Sequence, residues 1–138
     1  MPNLLAFALA IFTSAFLLFQ IQPLIAKFIL PWFGGGPAVW AVSMLFFQTC
    51  LVAGYGYAHL LVRYLSLKQQ AGVHIVLLVA ALSQMPVAPA DLFDYAVVEN
   101  PTWQILGLLT RTIGIPFFVL SATAPLIQAW VSRTQVCK

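Results

Sequence analysis

Four long apolar runs dominate the chain and restrict what it can fold into. They cover approximately residues 4–30, 38–65, 72–87 and 103–131. About 20 apolar residues are enough for a helix to cross the hydrocarbon core of a bilayer. Only 7% of the residues are charged, whereas a soluble domain carries about a quarter. The sequence therefore predicts an all-α integral membrane protein, with four transmembrane helices in a single membrane domain over residues 1–138.

Proline and glycine residues mark where these helices bend or end. Pro23 interrupts the first run, and the glycine run 34–36 between two prolines predicts a tight turn before the second. The third run is short enough either to re-enter the membrane or to cross it. In the fourth run, Pro116 closely follows Gly114, which predicts a kink.

The basic residues predict how the helices are oriented. Four of them follow the second and fourth runs, on the side that also holds the N-terminus: Arg63, Lys68, Arg133 and Lys138. The other side has Lys27 and the loop that contains all three acidic residues. Because cytoplasmic loops are enriched in Lys and Arg, both termini are predicted to be cytoplasmic. Basic residues in these positions are orientation signals, so the expected partner is the lipid bilayer and not nucleic acid.

The first and fourth runs share a short pattern. Residues 16–18 and 23–25 read FLL and PLI, and residues 118–120 and 125–127 read FVL and PLI. Both pairs are offset by 102 positions. With three spans per repeat, this offset predicts a partial inverted-repeat bundle of the kind found in transporters. Chance similarity among the abundant Phe, Leu and Ile residues is the alternative.

Several longer strings in the chain resemble one family. They read FQIQPLIAK at 19–27, LPWFGGGPAVW at 30–40, AGYGYAH at 53–59, GIPFF at 114–118 and PLIQAW at 125–130. In this order they resemble the N-terminal membrane region of the fused major-facilitator/spermidine-synthase-like bacterial membrane proteins. The resemblance implies a multi-pass protein of the bacterial cytoplasmic (inner) membrane with transporter-like ancestry.

The same family continues into a soluble aminopropyltransferase-like domain. This sequence has no glycine-rich strand-turn-helix for a nucleoside cofactor and no acidic cluster for a polyamine. We therefore expect no enzymatic activity, no cofactor and no metal site. Two functions remain. The first is an accessory or structural subunit that packs within a larger membrane complex, and the alternative is a truncated or split transporter-like module that self-assembles or needs a partner subunit.

Polar residues within the spans are costly and often functional. Gln20 and Lys27 are seven residues apart and share a helix face, whereas Gln22 points elsewhere. They could form a polar lining near Pro23. In the alternative, the two glutamines hydrogen-bond to neighbouring helices and Lys27 extends to the outer interface. Gln128 near the end of the fourth span is a further candidate contact to lipid or a partner.

The second span has a polar face of its own. Gln48, Tyr55 and His59 follow one another at spacings of seven and four. His59 could relay protons or simply reach headgroups and water near the end of the span. Gly54 and Ala58 are a small-residue pair that predicts close helix packing.

Arg111 is the one charged residue well inside a predicted span. Gly107 and Gly114 flank it, which predicts a narrow, protein-facing side of the helix. Arg111 could hold an anionic ligand or a lipid headgroup, or it could extend outward to the acidic loop.

Overall fold

Helices form almost all of the chain that the structure describes. The structure is a computed structural model, and it describes residues 2–84 and 101–136. The helices are α1 (Pro2–Ile29), α2 (Pro37–Tyr64), α3 (Leu67–Ser83), α4 (Pro101–Leu109) and α5 (Ile115–Val136), with a 3-10 helix at Leu30–Phe33 and a π-helical turn at Thr110–Gly114. The predicted all-α class is therefore confirmed.

Three helical stretches are long and apolar enough to cross a membrane. They are Leu4–Phe33, Pro37–Tyr64 and Thr102–Arg133, and the last of these runs through α4, the π turn and α5. The shortest of them has 28 residues, which gives a length of about 42 Å. The apolar helix α3 has 17 residues and a length of about 25 Å.

The connection between α1 and α2 is the predicted tight turn. Gly34 and Gly35 have φ angles of 84° and 65°, which lie in the left-handed region that favours glycine. The Gly35 N–H donates to the Leu30 carbonyl at 2.8 Å. Pro37 occupies the first turn of α2, where a missing N–H costs nothing. A turn this short makes α1 and α2 antiparallel neighbours.

The last helix is the centre of the bundle, because α1, α2 and α3 all pack against α5. Phe47 of α2 packs against Phe117 with tilted rings, whose centroids are 4.9 Å apart. Further along both helices, the Arg133 guanidinium donates to the Val62 carbonyl at 2.6 Å. Since later residues of α2 meet later residues of α5, these two helices run parallel. The first helix is therefore antiparallel to α5, which an inverted repeat would require but which does not establish one.

The helix α3 runs in the opposite direction to α5. Gln70 near its start bonds to Trp130, and His74 further along bonds to Thr123. The start of α1 and the end of α5 consequently lie at the same end of the bundle. Three basic residues at that end are exposed: Arg63, Lys68 and Arg133.

The predicted third span, residues 72–87, overlaps α3 but begins too late. The helix begins at Leu67, and residues 85–87 lie outside the described part of the chain. If His74 and Thr123 mark one level, Ser83 reaches about the level of Gly114 at the same rise per residue. Within the described residues α3 therefore covers only part of the length of its neighbours.

The predicted irregularity near Pro116 takes the form of a π turn. Proline has no N–H to donate, and its ring clashes with the carbonyl four residues earlier in an α-helix. Widening the preceding turn relieves this conflict. The hydroxyls of Thr110 and Thr112 donate to the Leu106 and Leu108 carbonyls at 2.7 and 2.8 Å.

Close packing between α2 and α5 confirms the prediction for Gly54 and Ala58. Both residues are buried. A Cβ atom on Gly54 would overlap the Ser121 hydroxyl and lie 3.1 Å from the Ala122 nitrogen. The absence of a side chain at Gly54 is therefore what lets the two helices touch here.

Candidate functional site

A cleft of about 270 Å³ lies between α1 and α2, over the central helix. We call it the α1/α2 cleft. It is partly open at the bundle surface. Its walls come from α1 and α2 and its floor from α5: Ser14, Ala15, Leu18, Phe19, Gln22, Gln48, Leu51, Tyr55, Leu120, Ser121 and Ala124.

The α1/α2 cleft has polar groups near both ends and apolar groups between them. Counted from the middle of their spans, Gln22 and Gln48 both lie about 4–5 Å towards the turn that joins α1 and α2. Ser14 and Tyr55 lie about 7 Å towards the opposite end. Ser121 lies between the two ends, beside Cys50 and Gly54 of α2. The cleft therefore has an amide end and a hydroxyl end, and all of its described lining residues are uncharged.

The floor of the cleft is held in place by the close contact at Gly54. The Ser121 hydroxyl donates to the Phe118 carbonyl at 2.7 Å, and the Cys50 carbonyl of α2 lies 3.3 Å away. Ser121 is 2% exposed. Because a hydroxyl has only one proton but two lone pairs, Ser121 can still accept a hydrogen bond from a molecule in the cleft.

A second polar cluster joins α3 to α5. Gln70 is fully buried, and its amide nitrogen donates to the Leu65 carbonyl at 2.7 Å. Its amide oxygen accepts a hydrogen bond from the Trp130 indole at 2.8 Å. The Gln70 side chain thus hydrogen-bonds both to the carbonyl just after α2 and to the indole of α5, so Gln70 has a structural role.

His74 continues this cluster one turn further along α3. It is 5% exposed, and its Nε2 lies 3.1 Å from the Thr123 hydroxyl. That hydroxyl already donates to the Val119 carbonyl at 2.7 Å, so Nε2 must carry the proton and Nδ1 is an acceptor. His74 Nδ1 and the nearby Tyr57 hydroxyl are both buried without a hydrogen-bond partner among the described residues.

Of the seven site residues predicted from sequence, the structure brings two together. Gln22, which is 8% exposed, and Gln48 line the α1/α2 cleft. The other five are exposed at the bundle surface and do not line it: Gln20, Lys27, His59, Arg111 and Gln128. The prediction that Gln20 and Gln22 point in different directions is confirmed.

Arg111 lies on an exposed side of its helix, so the predicted protein-facing side does not pack against the described part of this chain. Its side chain is exposed, and no atom lies within 4 Å of the position that a Cβ on Gly107 would take, among the atoms that the structure describes. The buried side of this stretch is formed by its large apolar residues, among them Leu108, Leu109 and Ile113. The acidic loop to which Arg111 could extend lies outside the described residues.

Several residues of both clusters were missed by sequence reasoning. The positions Ser14, Leu18 and Gln22 follow a spacing of four along α1, and all three line the cleft. This spacing was a usable signal. Ser121 had no comparable signal, because small residues are common on every face of its helix. The residues described here include no group of three or more His, Cys, Asp or Glu side chains that could hold a metal ion.

Comparison with known proteins does not assign a function to the cleft or to the polar cluster. No protein family, no curated protein and no solved structure matches the chain.

Proposed function

We propose that the chain is a membrane-embedded accessory subunit whose first helix packs against another membrane protein. The observation that carries this proposal is Gln20. It lies about 2 Å from the middle of the span Leu4–Phe33, yet its side chain is exposed on the outside of the bundle.

An exposed glutamine at this depth is costly in lipid. A carboxamide without hydrogen bonds in an apolar medium costs about 2–7 kcal/mol. A hydrogen bond to a neighbouring transmembrane helix would recover about 0.6–2 kcal/mol of this cost, because the carboxamide would then be paired. Thr13 and Lys27, seven residues before and after Gln20, are exposed on the same face of α1. This stripe, which we call the Gln20 face, favours protein over lipid as its neighbour.

The rest of α1 has the surface of a helix that faces lipid or protein rather than water. Its exposed side chains include large aromatic residues at positions 12, 16, 19 and 28. Hardly any of its most apolar stretch is buried inside the bundle. Such a helix supports membrane insertion, and the excess of basic residues at one end of the bundle supports a cytoplasmic position for both termini.

The proposal is tested by purifying the full chain from a bacterial inner membrane in mild detergent and measuring the mass of what elutes. We expect a stoichiometric complex with a second membrane protein, identified by mass spectrometry. Gln20→Leu should weaken this association about 3- to 30-fold, since an interhelical hydrogen bond contributes about 0.6–2 kcal/mol. Gln22→Leu is the matched control, because it makes the same change at nearly the same depth but faces the cleft.

A monomer, or equal effects of the two glutamine substitutions, would contradict the accessory role. A homo-oligomer with solute-dependent flux in liposomes would instead favour the second candidate, a transporter-like module.

One geometric observation favours that second candidate. Positions that the offset of 102 residues equates line the α1/α2 cleft on both α1 and α5. Leu18 pairs with Leu120, and Gln22 pairs with Ala124. Equivalent repeat positions around a central cleft are expected of inverted repeats. This arrangement, together with the resemblance to the membrane half of spermidine-synthase-like fusions, makes transporter-like ancestry a proposal that is compatible with a present accessory role.

A further inference from the structure

The α1/α2 cleft lies at the depth of the hydrocarbon core of a membrane. All five of its polar side chains are within about 7 Å of the middle of their spans. The hydrocarbon core extends about 15 Å to either side of its centre. This step rests on the membrane insertion proposed above but not on association with a partner.

A lipid acyl chain would be a poor occupant of the cleft. It would leave the carboxamides of Gln22 and Gln48 facing hydrocarbon, at a cost of several kcal/mol for each unpaired amide. Charged ligands are equally disfavoured, because no described lining residue carries a compensating charge. The occupant must therefore be uncharged and must both donate and accept hydrogen bonds.

The dimensions of the cleft limit the occupant further. Its volume of about 270 Å³ is just below the ~300–1,000 Å³ of pockets for drug-sized ligands. The amide end and the hydroxyl end are about 10 Å apart along the helices. Between them the lining is mostly apolar, with Leu18, Leu51 and Leu120.

We propose that the α1/α2 cleft binds a small, uncharged, linear molecule that has a hydrogen-bonding group at each end of a short apolar chain. The Gln22 and Gln48 amides bind one end, and the Ser14 and Tyr55 hydroxyls bind the other, with Ser121 in the floor between them. A short diol has this chemistry, and 1,6-hexanediol serves as the probe.

Cysteine accessibility tests the proposal in the full chain reconstituted into liposomes. Ala15→Cys places one thiol in the cleft wall without removing a polar group, in a Cys50→Ala, Cys137→Ser background. Val52→Cys is the matched control, because Val52 is 68% exposed on the outside of α2 at similar depth. The readout is the rate of reaction with hydroxyethyl methanethiosulfonate, an uncharged water-soluble reagent.

We expect the cleft thiol to react at least about tenfold faster than the control, because the cleft is partly open and has polar walls. The control thiol instead faces apolar surroundings, which suppress the reactive thiolate. The diol should slow this reaction about threefold at twice its Kd, by mass action. 1-Hexanol, which has only one polar end, should protect less. Gln22→Met with Gln48→Met keeps the side-chain size and should abolish the protection, while an unchanged elution profile and control rate show that the variant is folded.

Two results would overturn the proposal. Fast reaction without protection by the diol would mean that the cleft holds water and binds no such ligand. Slow reaction at both thiols would mean that a lipid acyl chain closes the cleft. Neither result depends on whether the Gln20 face binds a partner, so this inference and the accessory role can fail separately.

Discussion

Gly54 lies where α2 touches the backbone of α5, and its missing side chain controls that contact. The Ser121 hydroxyl occupies the space that a Cβ on Gly54 would need. Gly56, two residues further along the same helix, has no atom within 4 Å of its Cβ position among the described atoms. The two glycines therefore differ in how closely they pack against other helices. They lie in the same helix and have similar neighbours in the unfolded chain, so Gly56 is a control for Gly54.

Gly54→Ala is expected to destabilise the protein by about 1–3 kcal/mol, as overpacked contacts do. Gly56→Ala should be neutral or stabilise by up to ~1 kcal/mol, because alanine favours helix. Unfolding in detergent, followed by circular dichroism, measures both. Ser121→Ala removes the clashing hydroxyl and should restore part of the loss in Gly54→Ala. Equal destabilisation by the two glycine variants would show that the contact is unimportant.

At the scale of the element, α3 shows what the sequence could and could not reveal. Its start at Leu67 was foreseeable, since Ser66 and Gln69 have the spacing of a capping box. The Gln69 amide oxygen accepts from the Ser66 N–H at 3.0 Å and from its hydroxyl at 2.9 Å. The full burial of Gln70 was not foreseeable. A polar residue two positions after Lys68 would be expected to lie at an exposed helix end. Gln70 is buried only because α5 packs against this side of α3.

Gln70→Leu is expected to loosen α3 from the bundle. It leaves the Leu65 carbonyl and the Trp130 indole N–H unpaired, which costs about 1–3 kcal/mol. Trp130→Phe removes the indole partner, so the double variant should lose less than the sum of the two single losses. The free energy of unfolding of all four proteins gives this coupling.

The control for this cycle is Gln128→Leu, which removes an exposed glutamine from the same helix as Trp130. It should change stability by no more than about 0.5 kcal/mol. Strict additivity of Gln70→Leu and Trp130→Phe would contradict a hydrogen bond that matters for stability.

At the scale of the whole molecule, the sequence was most informative about the number and direction of the helices. Long apolar runs and the glycine run 34–36 were enough to place α1 and α2. It was least informative about which faces are buried. In helices that are apolar on every side, periodicity carries little information about the core. The sequence predicted that Gln20 and Gln22 point in different directions, but which of the two faces the inside of the bundle could be decided only once α5 was seen to lie at the centre.

The parallel course of α2 and α5 leads to a prediction about topology. The turn at 34–36 and the connection between α2 and α3 lie at opposite ends of the bundle, and the second end has three of the five exposed basic residues that the structure describes. Because basic residues are retained in the cytoplasm, we predict that the turn at 34–36 lies outside. In the cysteine-free background expressed in bacteria, Gly36→Cys should react with a membrane-impermeant maleimide added to intact cells. Gly36 tolerates the change, because its φ is −78° and nothing described lies within 4 Å of its Cβ position.

Leu67→Cys reports the opposite end of α2. Leu67 is 45% exposed at the start of α3, so its thiol is accessible to a reagent that reaches that side. We expect it to react only after the cells are permeabilised. Reversed labelling would show that the basic residues do not set the orientation. Labelling of both thiols in intact cells would show that α2 does not cross the membrane, and it would remove the premise on which the positions of the α1/α2 cleft and the Gln20 face were assigned.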